Sequence, residues 1–317
     1  SGPNGVGKPN LLEPLSLVAT LRSFRSADLG PLVRHGASEA RVEVTGHDPQ
    51  LGLRTRLAVH LIRTGRQTRR LALADGKTVR SGPDFYGRLR AILFTPEDLA
   101  VLRGSPTGRR QFIDRALFAR DRAHLADIAD YDKLLRSRNR VLRGEEAGIS
   151  RTQQDGLLDA YDAGLAASGA RIWVRRERLL ADLRGAFAEA FAQIHGRHLD
   201  VALTYVSKLG VPSTGDPQVV LGAARRAARR HELMRGTTTV GPHRDDFAVR
   251  LDGQIAADFA SQGQARALVL AFKIAELQDA RARTGETPVL LPDDVSSDVD
   301  PQRSAQLFHA LLRAAGQ

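Results

Sequence analysis

The segment SGPNGVGKPNLLEP, residues 1–14, determines how the rest of the chain is interpreted. From Gly2 to Lys8 it has the spacing of a phosphate-binding loop, G-x-x-x-x-G-K. Glycines let such a loop curl so that backbone N–H groups face phosphate oxygens, and the lysine adds a positive charge. The next residue, where Ser or Thr would offer a hydroxyl to Mg²⁺, is Pro9. A glycine-rich turn before a helix explains the same spacing, so the segment alone leaves both interpretations open.

Composition narrows the class of protein. The chain has 317 residues and no cysteine, which excludes disulfides, thiolate metal sites and a cysteine nucleophile. Lys and Arg number 47 against 36 Asp and Glu, a net charge of +11. This excess favours a polyanionic partner such as nucleic acid, although an arginine-rich proteome would produce it too. No apolar run approaches the ~18 residues that span a bilayer, and no secretory signal is present, so we expect a cytoplasmic protein without membrane contact.

The apolar pattern predicts an α/β protein interrupted by helices. Helices are predicted at Asn10–Leu21, Pro217–Arg235, Gln262–Leu277 and Gln302–Ala314, and throughout residues 107–195, where arginines fill much of the remaining surface. Strands are predicted at Ala40–Thr45, Leu53–Ile62, Gln67–Ala74, Ala91–Phe94, Leu199–Val206, Phe247–Leu251 and Pro288–Leu291. We therefore predict a discontinuous α/β lobe, residues 1–106 and 236–317, with a helical insertion at residues 107–235.

A second motif is an apolar strand that ends in two carboxylates, Val289-Leu290-Leu291-Pro292-Asp293-Asp294. It suits a Walker B element, in which Asp293 would hold Mg²⁺ and Asp294 would orient or activate the attacking water. A strand that runs into an acidic turn before a helix is the alternative.

A third motif, Ser261-Gln262-Gly263-Gln264, opens a predicted helix. Ser261 can cap the helix, and the exposed N–H groups of a helix start attract anions. Plain capping is the alternative here.

The order of the three motifs resembles that of an ABC-type ATPase: phosphate loop, helical insertion, S-x-G-Q signature, Walker B and a short acidic loop at Ser296–Asp298. The resemblance implies an α/β ATPase head of the P-loop class with an inserted helical lobe. It also implies that the signature of one subunit closes on the nucleotide held by another.

The residues between the motifs resemble those of the RecF family of bacterial DNA replication and repair proteins, over essentially the whole chain. The matching segments are Leu21–Arg25, Phe94–Leu99, Arg109–Arg115, Arg138-Asn139 and Thr237–Asp246. The resemblance implies an ATP-dependent homodimer that binds single-stranded and gapped duplex DNA and, with RecR and RecO, promotes loading of RecA. It implies slow ATP hydrolysis tied to dimer release, and it predicts that the chain is truncated at both ends.

The motifs and the resemblance together define a predicted site for ATP and Mg²⁺. Asp294 is the predicted catalytic residue and Asp293 the predicted metal ligand. The predicted nucleotide-binding residues are Gly2, Pro3, Asn4, Gly5, Val6, Gly7, Lys8, Pro9, Asn10, Ser261, Gly263 and Gln264.

Three prolines near this site depart from the family pattern. Pro9 removes a hydroxyl and a backbone N–H, although proline is tolerated at a helix start. Pro14 lies inside the predicted helix and is expected to cost ~3 kcal/mol or to kink it. Pro292 lacks the donor of a strand ladder. Binding without effective Mg²⁺-dependent hydrolysis is therefore predicted. There are three alternatives. The first is a DNA-binding scaffold with an impaired nucleotide site. The second, an ABC-type head with a long coiled coil, is disfavoured by the compact insertion, and the third, a transporter ATPase, is disfavoured by the basic insertion and by Gly241–Asp246.

Overall fold

The computed structural model describes residues 8–21, 23, 26, 28–48, 53–65, 67–79, 82–146, 148, 150–196, 199–209 and 215–292. Backbone contacts divide the chain into two units. Unit 1 comprises Ser1–Asp98, Phe118–Arg122 and Lys273–Gln317, and unit 2 comprises Leu99–Leu117 and Ala123–Phe272. The two lobes predicted from the sequence, residues 1–106 with 236–317 and residues 107–235, have other boundaries than these two units and stay a prediction.

The described elements follow one another along the chain in this order: α1 Lys8–Thr20, β1 Glu39–Asp48, β2 Leu53–Thr64, β3 Gln67–Ala74, β4 Lys77–Val79, α2 Gly82–Phe85, β5 Ala91–Phe94, α3 Pro96–Leu99, α4 Pro106–Arg120, α5 Arg122–Leu142, α6 Arg151–His195, β6 Val201–Val206, α7 Pro217–Arg235, β7 Asp246–Leu251, β8 Gln254–Ile255, α8 Ala256–Phe259, α9 Gln262–Thr284 and β9 Val289–Pro292. Short 3-10 turns occupy Gly30–Leu32 and Val101–Arg103. The helix predicted at Gln302–Ala314 and the acidic loop at Ser296–Asp298 lie outside the described residues.

Unit 1 contains an antiparallel sheet in the order β1-β2-β3-β4. Leu57, Val59 and Leu61 lie on one face of β2 and are buried, and the small Ala58 between them is buried too. Val59 lies opposite both Val42 of β1 and Ala72 of β3, which fixes the register by burying one face.

Unit 1 also contains a parallel strand pair, β5 with β9, which joins the N-terminal and C-terminal parts of the predicted α/β lobe in one sheet. Helix α1 packs against both strands. Helix α1 runs uninterrupted through Pro14. Pro292 is the last residue of β9 and lies opposite Phe94.

Unit 2 combines the long helices α5, α6 and α7 with the antiparallel sheet β6-β7-β8. Local signals set the helix ends. Helix α6 begins with a capping box between Ser150 and Gln153 and ends at Gly196 in the left-handed region. Helix α7 begins at Pro217 after the N-cap Asp216. The apolar core between α5 and α6 contains the buried residues Tyr131, Leu165 and Ile172.

Over the part of the chain that the structure describes, no helix has both the length and the apolar character that crossing a bilayer requires.

Candidate functional site

Most of the predicted nucleotide site falls outside the described residues: Gly2, Pro3, Asn4, Gly5, Val6, Gly7, Asp293 and Asp294. For Lys8, Pro9 and Asn10 the structure describes the backbone, which forms the first turn of α1, and not the side chains. The start of α1 and the end of β9 are therefore the two points to which the predicted phosphate loop and the predicted acidic pair are attached. Both belong to unit 1, and α1 contacts β9.

The first turn of α1 is suited to phosphate and poorly suited to Mg²⁺. The first N–H groups of a helix have no intrahelical partner, and the helix dipole places positive charge there. Pro9, the second residue of α1, contributes neither an N–H nor a hydroxyl. Among the described residues no cluster of three or more His, Asp or Glu side chains is arranged to hold a metal ion. The described donors thus fit an anionic ligand.

The predicted signature forms the start of α9 in unit 2. Ser261 Oγ accepts a hydrogen bond from the backbone N–H of Gln264 at 3.2 Å, and Gln264 Oε1 accepts from the N–H of Ser261 at 2.8 Å. These reciprocal bonds form a capping box, so the capping role is present in the structure. Ser261 and Gly263 are exposed at this helix start, and their role towards a nucleotide stays a prediction.

The segment Gly241–Asp246 lies at the centre of a polar network within unit 2. Tyr131 Oη is 2.7 Å from His243 Nδ1, Arg225 donates to Tyr131 Oη at 2.9 Å, and His243 Nε2 is 3.1 Å from the carbonyl of Thr238. A neutral imidazole with its proton on Nε2 is compatible with all three contacts, because Tyr131 then donates to Nδ1 and Nε2 donates to the carbonyl of Thr238. His243 is therefore engaged in supporting the structure of unit 2.

Pro242 is held by a buried ion pair. Arg176 donates two hydrogen bonds to Asp114, both at 2.8 Å, and a third to the carbonyl oxygen of Pro242 at 2.7 Å. His124 Nε2 lies 2.9 Å from Asp114 Oδ1. Burial alone would raise the pKa of Asp114, but Arg176 and His124 outweigh it and lower that pKa to about 2.

The two carboxylates that follow are also engaged. Arg109 makes a bidentate pair with Asp246 at 2.9 and 2.6 Å. Tyr205 donates to Asp245 Oδ2 at 2.9 Å, and Arg110 donates to the carbonyl of Asp245 at 2.8 Å. Burial raises the pKa of Asp245 above its ordinary value. The segment is thereby tied to α4 and to β6.

Thr238, three residues before Gly241, is held by hydrogen bonds to side chains of helix α5. Arg138 is fully buried and pairs with Asp162 at 2.7 Å and with Glu232 at 2.8 Å, and it donates to Thr238 Oγ1 at 2.8 Å. Asn139 Oδ1 accepts from the backbone N–H of Thr238 at 2.9 Å. Arg138 and Asn139, which belong to the family resemblance, therefore position the segment, Arg138 from a fully buried place and Asn139 from a partly buried one.

Sequence analysis missed several members of this network: Tyr131, Arg176, Tyr205 and Arg225. These side chains are buried because they pair with residues that are distant in the sequence. The residues next to them in the chain do not indicate that burial. For Tyr131, Arg176 and Arg225 the available signal was a polar-ended side chain at a position on the apolar face of a helix, and for Tyr205 it was an inward-facing position of a strand.

We expect the network to make folding sensitive to mild acid through His243. Burial, together with the nearby charges of Arg225, Arg244 and Arg110, lowers the pKa of His243 to about 3. Because this pKa is depressed below the ~6.5 of an unfolded histidine, the stabilisation is present above pH ~6.5 and is lost as pH falls towards the folded pKa. Between pH 6.5 and 4.5 the free energy of unfolding should fall by about 2 kcal/mol through this group.

Urea unfolding of the protein and of a His243→Gln variant, repeated from pH 7 to pH 4.5, measures this effect. The variant should show a shallower pH dependence in that interval, whereas replacing the exposed His231 of α7 with Gln should leave it unchanged. Parallel pH profiles for the protein and the His243→Gln variant would contradict the assignment.

The chain is similar in sequence to a group of DNA replication and repair proteins. No family model matches it. It is 42% identical over 322 residues to the DNA replication and repair protein RecF of Myxococcus xanthus, covering 100% of this chain and 82% of that protein. The RecF protein of Anaeromyxobacter sp. strain Fw109-5 is 39% identical and covers 100% of this chain and 83% of the relative. That of Geobacter sulfurreducens is 37% identical over 310 residues, 97% of this chain and 81% of the relative.

Solved structures agree with these relatives. The structure of the recombination mediator protein RecF with ATP, in the RecFOR pathway, matches with a TM-score of 0.85 and 27% identity, over 97% of this chain and 81% of that chain. The Smc head domain of Pyrococcus furiosus, with an extended coiled coil and bound to the C-terminal domain of ScpA, matches in fold with a TM-score of 0.52 and 13% identity, over 100% of this chain and 80% of that chain. The predicted α/β fold of an ABC-type ATPase head is thus confirmed.

Proposed function

Because the chain belongs to the RecF family of DNA replication and repair proteins, we propose that it is an ATP-dependent DNA-binding protein of recombinational repair and replication restart. The observation that carries the proposal is the 42% identity to a RecF protein over the whole of this chain. The net charge of +11 supports a polyanionic partner independently of that similarity.

In the proposed site, ATP is held at the start of α1. The glycines from Gly2 to Gly7 and the first N–H groups of α1 would surround its phosphates, and Lys8 would neutralise part of their charge. Asp293 would hold Mg²⁺ and Asp294 would orient a water. Bound Mg²⁺ would neutralise charge that develops on the phosphate oxygens. The exposed helix start at Ser261, Gly263 and Gln264 would close on the nucleotide of a second copy.

DNA binding and dimerisation follow from the same proposal. ATP would join two copies, and the dimer would bind single-stranded and gapped duplex DNA. With RecR and RecO it would then promote loading of RecA at gaps. The basic helices of unit 2 support the DNA-binding part, because exposed arginines release counterions from phosphates.

A DNA-binding scaffold of the same fold with an impaired nucleotide site is the second candidate. It is favoured by Pro9, which has no hydroxyl to offer Mg²⁺. Sedimentation with and without ATP, and with and without gapped DNA, separates the two candidates. ATP-dependent dimerisation on DNA supports the first, whereas DNA binding without any response to ATP supports the second. A protein that binds neither would exclude both.

We predict that a Pro9→Thr substitution raises Mg²⁺-dependent ATP turnover at least about tenfold, equivalent to about 1.4 kcal/mol of transition-state stabilisation. The threonine restores both the hydroxyl ligand and the backbone N–H that proline lacks. Turnover at saturating ATP measures the effect, and equilibrium dialysis measures nucleotide binding separately. A Lys8→Ala change added to the threonine variant should abolish the gain. Equal turnover in the unmodified protein and the Pro9→Thr variant would show that Pro9 is not limiting.

A further inference from the structure

Helix α7 carries a run of four arginines that its geometry divides into two pairs. Arg225 is fully buried and donates to Tyr131, and Arg229 pairs with Asp159 and Asp162, both at 2.6 Å. Arg226 and Arg230 are exposed. Half of this basic run therefore supports unit 2 from within, and the other half faces outward.

The outward pair belongs to a continuous face of the helix, which we call the α7 stripe. It consists of Val219, Ala223, Arg226, Ala227, Arg230 and Met234, all exposed. At 3.6 residues per turn these six residues fall within an arc of about 100°, and they extend over about 22 Å of helix. Val219 is 65% exposed and Met234 is 75% exposed, so the stripe is uncovered at both ends.

The α7 stripe is positively charged along its own helix, although Asp159 of α6 and the N-cap Asp216 line a groove that Val219 and Arg226 also line. Glu232 is the single carboxylate between Pro217 and Arg235, and it is buried. Within the described residues neither Arg226 nor Arg230 forms an ion pair, in contrast to Arg229 on the same helix. The two arginines are one turn apart, with the small side chains of Ala223 and Ala227 beside them, so that an extended partner can approach the helix closely.

We propose that the α7 stripe is a surface that follows the phosphodiester backbone of a nucleic acid strand, with Arg226 and Arg230 each contacting a phosphate. This inference rests on the proposed DNA-binding function and names the surface that performs it. Two exposed guanidinium groups without an ion-pair partner suit phosphate, because each can bind its oxygens with parallel N–H donors. The exposed Val219 and Met234 offer apolar contact to deoxyribose at the ends of the stripe.

The test is the salt dependence of DNA binding for an Arg226→Gln/Arg230→Gln variant. Each lost phosphate contact should reduce the slope of log K against log salt concentration by about 0.9 on duplex DNA and about 0.7 on single strands. The double variant should therefore lose a slope of about 1.8 on a duplex or about 1.4 on a single strand. Parallel titrations with oligothymidine and with a blunt duplex show which form of strand lies on the stripe.

The matched control is Arg136→Gln/Arg140→Gln on α5. These arginines are also exposed and one turn apart, but the exposed residues of α5 include Asp130 and Asp132. The control should keep most of the slope, and circular dichroism should show both variants folded. Unchanged slopes in the α7 variant, or equal losses in both variants, overturn the assignment of the stripe. If the unmodified protein binds no DNA, the proposed function fails first and takes this inference with it.

Discussion

Replacing Arg176 with methionine is expected to lower the free energy of unfolding by about 3–5 kcal/mol, which is the range for breaking one side of a buried ion pair. Arg176 is 3% exposed and supplies two of the hydrogen bonds of Asp114. Without it, the carboxylate of Asp114 stays buried with His124 at 2.9 Å, and the carbonyl of Pro242 loses its donor. The loss of stability therefore comes mainly from leaving the carboxylate of Asp114 buried without its cation, and less from the attraction within the pair.

Urea unfolding at pH 7 measures this loss of stability. Two further variants test whether the buried ion pair is its cause. Arg178→Met, two positions along α6, removes an arginine whose side chain is 74% exposed, and should cost less than about 0.5 kcal/mol. Adding Asp114→Leu to the Arg176→Met variant removes the abandoned carboxylate, so the double variant should be more stable than the sum of the two single losses indicates. A single Arg176→Met loss no larger than that of Arg178→Met would show that the pair is not buried as described.

The elements that were predictable from sequence are those with a local signal at both ends. The predicted bounds of α7 agree with the structure because Asp216 and Pro217 open the helix and Gly236, in the left-handed region, closes it. Helix α9 was predicted to end at Leu277 and continues to Thr284. Its last turns, Gln278–Thr284, are polar and have no apolar period to reveal them, although most of their residues are good helix formers.

For the candidate nucleotide site the sequence supplied motifs, and the residues in them stay a prediction. Glycine spacing, paired carboxylates and a capping serine are local patterns, and they indicated a nucleotide site without reference to the fold. The polar network around Gly241–Asp246 was not predictable in the same way. Helix α6 has Arg175, Arg176 and Arg178 almost in succession, and Arg176 is the buried one because Asp114, 62 positions earlier in the chain, lies against it.

Gly241→Ala is expected to cost about 2–6 kcal/mol, the sum of an unfavourable backbone of about 1–3 kcal/mol and overpacking of about 1–3 kcal/mol. Gly241 has a φ of +127°, which L-residues rarely adopt. A Cβ atom there would lie 2.5 Å from Tyr131 Oη and 2.7 Å from Arg225 Nη2. Both side chains are buried, so neither can retreat into solvent, and the hydrogen bonds that join Arg225, Tyr131 and His243 would have to break.

Three companion variants divide the Gly241→Ala loss, measured by urea unfolding, between contact and backbone. Gly185→Ala, at an exposed position of α6 with no atom within 4 Å of the new Cβ, should instead stabilise by about 0.5–1 kcal/mol. Tyr131→Phe removes the hydroxyl that the new methyl group would meet. Combined with Gly241→Ala, it should cost less than the two single losses added together, and what remains measures the backbone at φ +127°. Strict additivity would mean that Tyr131 Oη does not limit the space at Gly241, and that the conformation of the backbone alone requires glycine there.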